Sequence, residues 1–175
     1  MGAMGRSNGY TIPMRILGID PGLATVGLGL VERAGQDVRA IEWLTITTAA
    51  GLSLPERLKE LHTDLDAFLA ETKPELAVME RLFFATNQKT AIDVAQARGV
   101  LVLTVSEHGI PLLEPTPLQL KSGITGDGQA SKEQIQRMLL QLLHLKEIPK
   151  PDDAADALAL AVYGAVMRDV RVETF

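Results

Sequence analysis

Four carboxylates stand at positions where packing gives an acid little reason to be. Asp20 closes the largely apolar run 14–19, and Glu80 closes Leu76-Ala77-Val78-Met79. Asp153 and Asp156 lie one turn apart on the same face of the apolar stretch Asp153-Ala154-Ala155-Asp156-Ala157-Leu158. Two strands would thus deliver a carboxylate each at their C-terminal ends, and one helix would deliver two more. A buried, unpaired carboxylate is costly. A divalent cation offsets that cost, and hard cations such as Mg²⁺ take oxygen ligands while keeping waters that a phosphate can displace. The pattern therefore predicts a metal-dependent enzyme acting on phosphodiesters. Ordinary roles compete for the same residues. Asp152 and Asp153 follow Pro151, where an Asp caps orphan amides at a helix start, and Asp20 before Pro21-Gly22 suits a turn. Glu80 and Asp156 have weaker structural excuses.

The elements that must position these acids follow from periodicity. Residues 14–19, 26–31 and 38–47 are strand-like, separated by Gly-rich or polar turns. Ser53 with Glu56 forms a capping box opening a helix to about Glu71, with Leu54, Leu58, Leu61, Leu65, Phe68 and Leu69 at helical spacing. Lys73-Pro74 ends it. A buried strand 75–79, a helix 88–107, a short strand 111–114 and helices near 131–145 and 153–168 complete the order βββαβαβαα. This is an α/β architecture, a mixed five-stranded sheet with helices on both faces. Residues 1–13 read as a leader, either an appended remnant or a disordered natural extension, and 14–170 as one domain.

Composition narrows the function further. The chain has 175 residues and no cysteine, which removes thiol nucleophiles, disulfides and Cys-ligated zinc. No signal peptide or membrane span is evident, so a soluble cytoplasmic protein is expected. The net charge of −5 argues against a nucleic-acid partner. Charge is uneven, however, and cations bound at the four acids would cancel part of it. His62, His108 and His144 show no ligand spacing.

Five segments in order, GIDPG at 18–22, Glu80 with Phe83, the run 95–100 (AQARGV), the run 126–132 (GDGQASK) and the run 153–159 (DAADALA), resemble the RuvC family of Holliday junction resolvases, within the ribonuclease H-like nucleases. The resemblance implies paired, symmetric hydrolysis of a four-way DNA junction during recombination and repair, leaving a 5′-phosphate and a 3′-hydroxyl. It implies two Mg²⁺ or Mn²⁺ ions about 4 Å apart. Asp20 would bridge them, Glu80 and Asp156 would complete the ligand sets, and Asp153 would bind one ion or position water.

Further residues acquire roles from the same resemblance. Lys121 and Lys132 match lysines that contact phosphates near the scissile bond, and Lys132 also opens a helix, whose amides attract phosphate. Arg81 and Lys89 extend the track. Phe83 matches a junction-probing aromatic, and Phe84 beside it is a weaker candidate for base stacking. A homodimer and a branch-migration motor complex are the implied protein partners. Helix 88–107 is the expected dimer interface, with Ala91, Ala95, Ala97 and Gly99 permitting close approach and Ile92, Val94, Val100 and Leu101 offering apolar area. Rival functions are an actin-like phosphate-loop enzyme, for which the chain lacks a second lobe, a silent junction-binding scaffold, and a generic ribonuclease H.

Overall fold

A computed structural model describes residues 12–81 and 88–167, with nothing assigned to the side chains of 88–90. Strands β1 (Met14–Asp20), β2 (Thr25–Ala34) and β3 (Asp37–Thr47) form an antiparallel meander. Helix α1 (Leu54–Thr72) leads to β4 (Leu76–Met79), α2 (Gln88–Glu107) and β5 (Leu112–Leu113), and the chain closes with α3 (Pro117–Thr125), α4 (Lys132–Leu142) and α5 (Asp152–Met167). The sheet order is β3-β2-β1-β4-β5, and β4 runs parallel to both β1 and β5.

The central strands are apolar on both faces because both faces are covered. Ile16, Val31, Leu76 and Val78 pack beneath α5 with α3 and α4 alongside, whereas Leu17, Ile19, Leu28, Leu30, Ala77 and Met79 pack with Leu61, Leu65 and Leu69 of α1 and Ala97, Leu101 and Val105 of α2. The expected mixed five-stranded sheet with helices on both faces is thus present. Local signals set the boundaries. Glu56 accepts from the Ser53 amide at 2.8 Å at the start of α1, and the helix stops at Lys73, whose φ of 48° lies in the left-handed region before Pro74.

The structure corrects the expected order at one element. Helix α3, unforeseen in the sequence, makes it βββαβαβααα. Its nine residues begin at Pro117 and include Gly123, too short and too interrupted for a clear periodic signal, yet Thr116 and Gln119 form a complete capping box. Helix α4 ends at Leu142 rather than near 145, because His144 takes a left-handed φ of 52°. Residues 1–11 of the expected leader and residues 168–170 of the expected domain lie outside the described residues.

Candidate active site

Strand alternation decides where the first two acids point. Met14, Ile16 and Gly18 face α5, so Asp20, of the same parity, does too. On β4, Leu76 and Val78 face α5, so Glu80, one residue beyond the strand, continues that face. The parallel register pairs Ile19 with Met79 and therefore brings Asp20 and Glu80 to the same level of the sheet.

Helix α5 completes the set because it lies unusually close to the strands. Its inward residues are small: Ala154, Ala157, Ala161 and Gly164 are all buried. Gly18 faces the Ala157 carbonyl and Gly27 the Asp153 carbonyl, each with no room for a β-carbon. Gly27 is the β2 partner of Asp20, so the first turn of α5, carrying Asp153 and Asp156, is set down beside Asp20.

The electrostatics reflect this crowding. Burial pushes the Asp20 carboxyl up to about 7, and the charges of Asp156, Asp153 and Glu80 push the same way against the Lys132 ammonium. Burial also raises Glu80, as does the charge of Asp156, while Lys121 opposes them. Desolvation and neighbouring carboxylates both disfavour the ionised form, so the cluster holds more negative charge than its lysines neutralise.

Lys132 lies 3.1 Å from Asp156 and 3.4 Å from Asp152. Burial would depress its pKa, but the hydrogen bonds and charges of Asp156 and Asp152 outweigh it and the net shift is upward. Asp20, Glu80, Asp156, Lys121 and Lys132 share the lining of one cleft of about 260 Å³. Asp153 acts on Asp20 through its charge and is outside that lining. Among the described residues, no three His, Cys, Asp or Glu side chains are gathered tightly enough to form a finished cation cage. The donor chemistry nevertheless fits a hard divalent cation: all four acids offer oxygen, and such an ion would favour the ionised form of Asp20 that burial and its neighbours disfavour.

The remaining candidates divide. Arg81 is exposed, with its amide donating to the Pro115 carbonyl at 2.9 Å. The Lys89 side chain, Phe83 and Phe84 lie outside the described residues. On α2, Ala97 and Leu101 are fully buried in the core against α1 and the sheet, which corrects their expected interface role. Ile92 remains 63% exposed, and Leu103, which nothing in the sequence singles out, is 57% exposed on the same side of the helix. Asp152 likewise reads in the sequence as no more than a helix cap. Its spacing of four from Asp156 is the signal that marks it.

Comparison with known proteins sharpens the picture. The family model for crossover junction endodeoxyribonuclease RuvC matches residues 16–164. The crossover junction endodeoxyribonuclease RuvC of Brevibacillus brevis is 48% identical over 155 residues, covering 89% of this chain and 93% of the relative. The chain belongs to the RuvC family. Thermus thermophilus RuvC, solved in complex with Holliday junction substrate, superposes with a TM-score of 0.83 at 32% identity, covering 89% of this chain and 94% of that one. The yeast mitochondrial Holliday junction resolvase, at 19% identity and a TM-score of 0.64, shares the fold. All four acids, both lysines, Arg81, Lys89 and Phe83 fall within the RuvC-matched span.

Proposed function

We propose that the chain resolves four-way DNA junctions by metal-dependent hydrolysis of two symmetrically placed phosphodiesters, leaving 5′-phosphate and 3′-hydroxyl ends. The observation that carries this reading is the convergence of Asp20, Glu80 and Asp156 on one cleft with Lys121 and Lys132. Three carboxylates are suited to cations and two ammoniums to the phosphate backbone.

In this mechanism Asp20, Glu80, Asp156 and Asp153 would hold two divalent cations, Mg²⁺ or Mn²⁺. When bound, such ions lower the pKa of an attacking water and stabilise the leaving 3′-oxygen. Asp20 would be held in its ionised form by such a cation, which would offset the burial and the neighbouring carboxylates that disfavour it. Lys121, beside Glu80, and Lys132, at the start of α4, bind phosphates flanking the scissile bond and fix the strand in line. No covalent intermediate is required. Arg81 and Lys89 extend the backbone track, and Phe83 acts as the aromatic that probes the junction.

A four-way junction has approximate two-fold symmetry, and one metal site cuts one strand. Two copies related by a two-fold axis are therefore needed. The exposed side of α2, with Ile92, Gly99 and Leu103, supplies the apolar contact between them. Residues 14–170 act as one nuclease domain that works in the cytoplasm beside a branch-migration motor. Among the described residues, no helix is long and apolar enough to cross a membrane.

The deciding experiment offers the protein a synthetic four-way junction, a linear duplex and an RNA–DNA hybrid in Mg²⁺. Paired nicks in strands of like polarity, confined to the junction, are expected. Preferential cleavage of the hybrid would make the chain a ribonuclease H, and binding without cleavage would make it a scaffold.

A further inference from the structure

Asp152 makes a contact that the acid site does not require. It opens α5, its side chain is 75% exposed, and an acid in the first turn of a helix is explained by the helix dipole alone. Yet Asp152 and Asp156, four residues apart, stack on one helix face, and the Lys132 ammonium lies between their carboxylates. The backbone beneath Lys132 is pinned by a capping box, in which the Ser131 amide donates to Gln134 at 2.7 Å and the Gln134 amide donates to Ser131 at 3.3 Å. Any movement of the ammonium is therefore a swing of a long side chain from a fixed root.

Asp156 is pulled in two directions. It crowds Asp20 and Glu80 as part of the acid cluster, and it accepts a hydrogen bond from Lys132. A divalent cation and the ammonium compete for the same carboxylate, so the Lys132 pairing opposes cation binding. A second carboxylate, outside the acid cluster and within reach of the ammonium, weakens that opposition.

We propose that Asp152 is a positioning residue that shares the Lys132 ammonium with Asp156, 3.4 Å against 3.1 Å, and so weakens its hold on Asp156 enough for a divalent cation to displace it, then keeps Lys132 at the mouth of the cleft for a substrate phosphate. This rests on the reading of the four acids as cation ligands. Asp152 itself touches neither cation nor substrate. Its effect passes entirely through Lys132, which separates it from a remote negative charge that merely attracts cations.

Titration calorimetry of Mn²⁺ into DNA-free protein tests this with the wild type, Asp152→Asn, Lys132→Met and the double variant. Lys132→Met should bind Mn²⁺ more tightly than the wild type. Asp152→Asn should bind it about three- to fivefold more weakly, the scale of one partly exposed ion pair. In the Lys132→Met background Asp152→Asn should cause no further loss. Equal losses in both backgrounds would make Asp152 a long-range charge and overturn the inference, as would an unchanged affinity for Asp152→Asn. A wild type that binds no Mn²⁺ removes the acid-site reading together with this one, whereas normal binding with additive losses removes this one alone. Thermal unfolding in EDTA confirms that each variant is folded, and Lys132→Gln repeats the comparison should Lys132→Met fail to fold.

Discussion

The carbonyl of Asp153 sits directly over Gly27, in the space that a β-carbon of residue 27 would fill. Gly27 is in turn the cross-strand partner of Asp20. A missing side chain on β2 thereby sets how near the first turn of α5 approaches the acid at the end of β1. Gly18 does the same one turn further along, under Ala157. Gly27→Ala and Gly18→Ala should each lift α5 and destabilise the fold by about 1–3 kcal/mol, the usual cost of overpacking. Gly51→Ala, which meets nothing within 4 Å, should stay within about 0.5 kcal/mol. Denaturant unfolding measures all three.

Cleavage and binding should separate at the acids. Asp20→Asn, Glu80→Gln and Asp156→Asn are each expected to lower junction cleavage by more than about a hundredfold, since loss of a mere outer partner of a metal ligand already costs about 10–100-fold. Asp153→Asn should behave similarly. Junction affinity should change little, because lysines hold the phosphates. Single-turnover cleavage and gel-shift titration on the same substrate read the two quantities, and ordinary cleavage by any one variant would remove that residue from the site.

Asp20 should make the metal-free protein less stable as pH rises. Its carboxyl holds a proton up to about pH 7 in the folded chain but releases it near 3.8 when unfolded. Between these values the folded state binds more protons, so stability falls as pH climbs from about 4 to 7 and stays low above. In EDTA at pH 8, Asp20→Asn should therefore exceed the wild type by on the order of 2–4 kcal/mol, with the difference shrinking toward pH 4. Added Mg²⁺ should stabilise the wild type and not the variant. Thermal melts at several pH values follow both effects.

The exposed side of α2 should govern association and its buried side folding. Ile92→Glu or Leu103→Glu should give a folded monomer near 18.9 kDa that nicks without paired cutting. Leu101→Glu buries a charge in the core against α1 and the sheet, and should unfold the chain instead. Light scattering with circular dichroism distinguishes the outcomes.

Lys121→Ala should weaken junction binding alike for all central sequences, since a lysine on a phosphate reads no base. The slope of log affinity against log salt should flatten by about 0.9 for each phosphate no longer neutralised. A sequence-dependent weakening would instead place Lys121 at a base edge.

The sequence alone determined the acids and their carriers. Asp20 and Glu80 each end an apolar strand, and Asp153 and Asp156 share a helix face, because a charge that interrupts a buried pattern is conspicuous without any coordinates. The strands and long helices were equally legible, since burial on both sheet faces imposes continuous apolar runs and caps mark the ends. Helix α3 was not, because nine residues with a proline and a glycine carry too little periodicity. Nor could the sequence divide α2 into Ala97 and Leu101 facing the core and Ile92 and Leu103 facing outward, since a helix apolar on several sides does not reveal which side its partner covers. Only the tertiary structure decided that Lys132 lies between Asp152 and Asp156. That pairing joins residues twenty and more positions apart, through the packing of α4 against α5, and no local spacing encodes it.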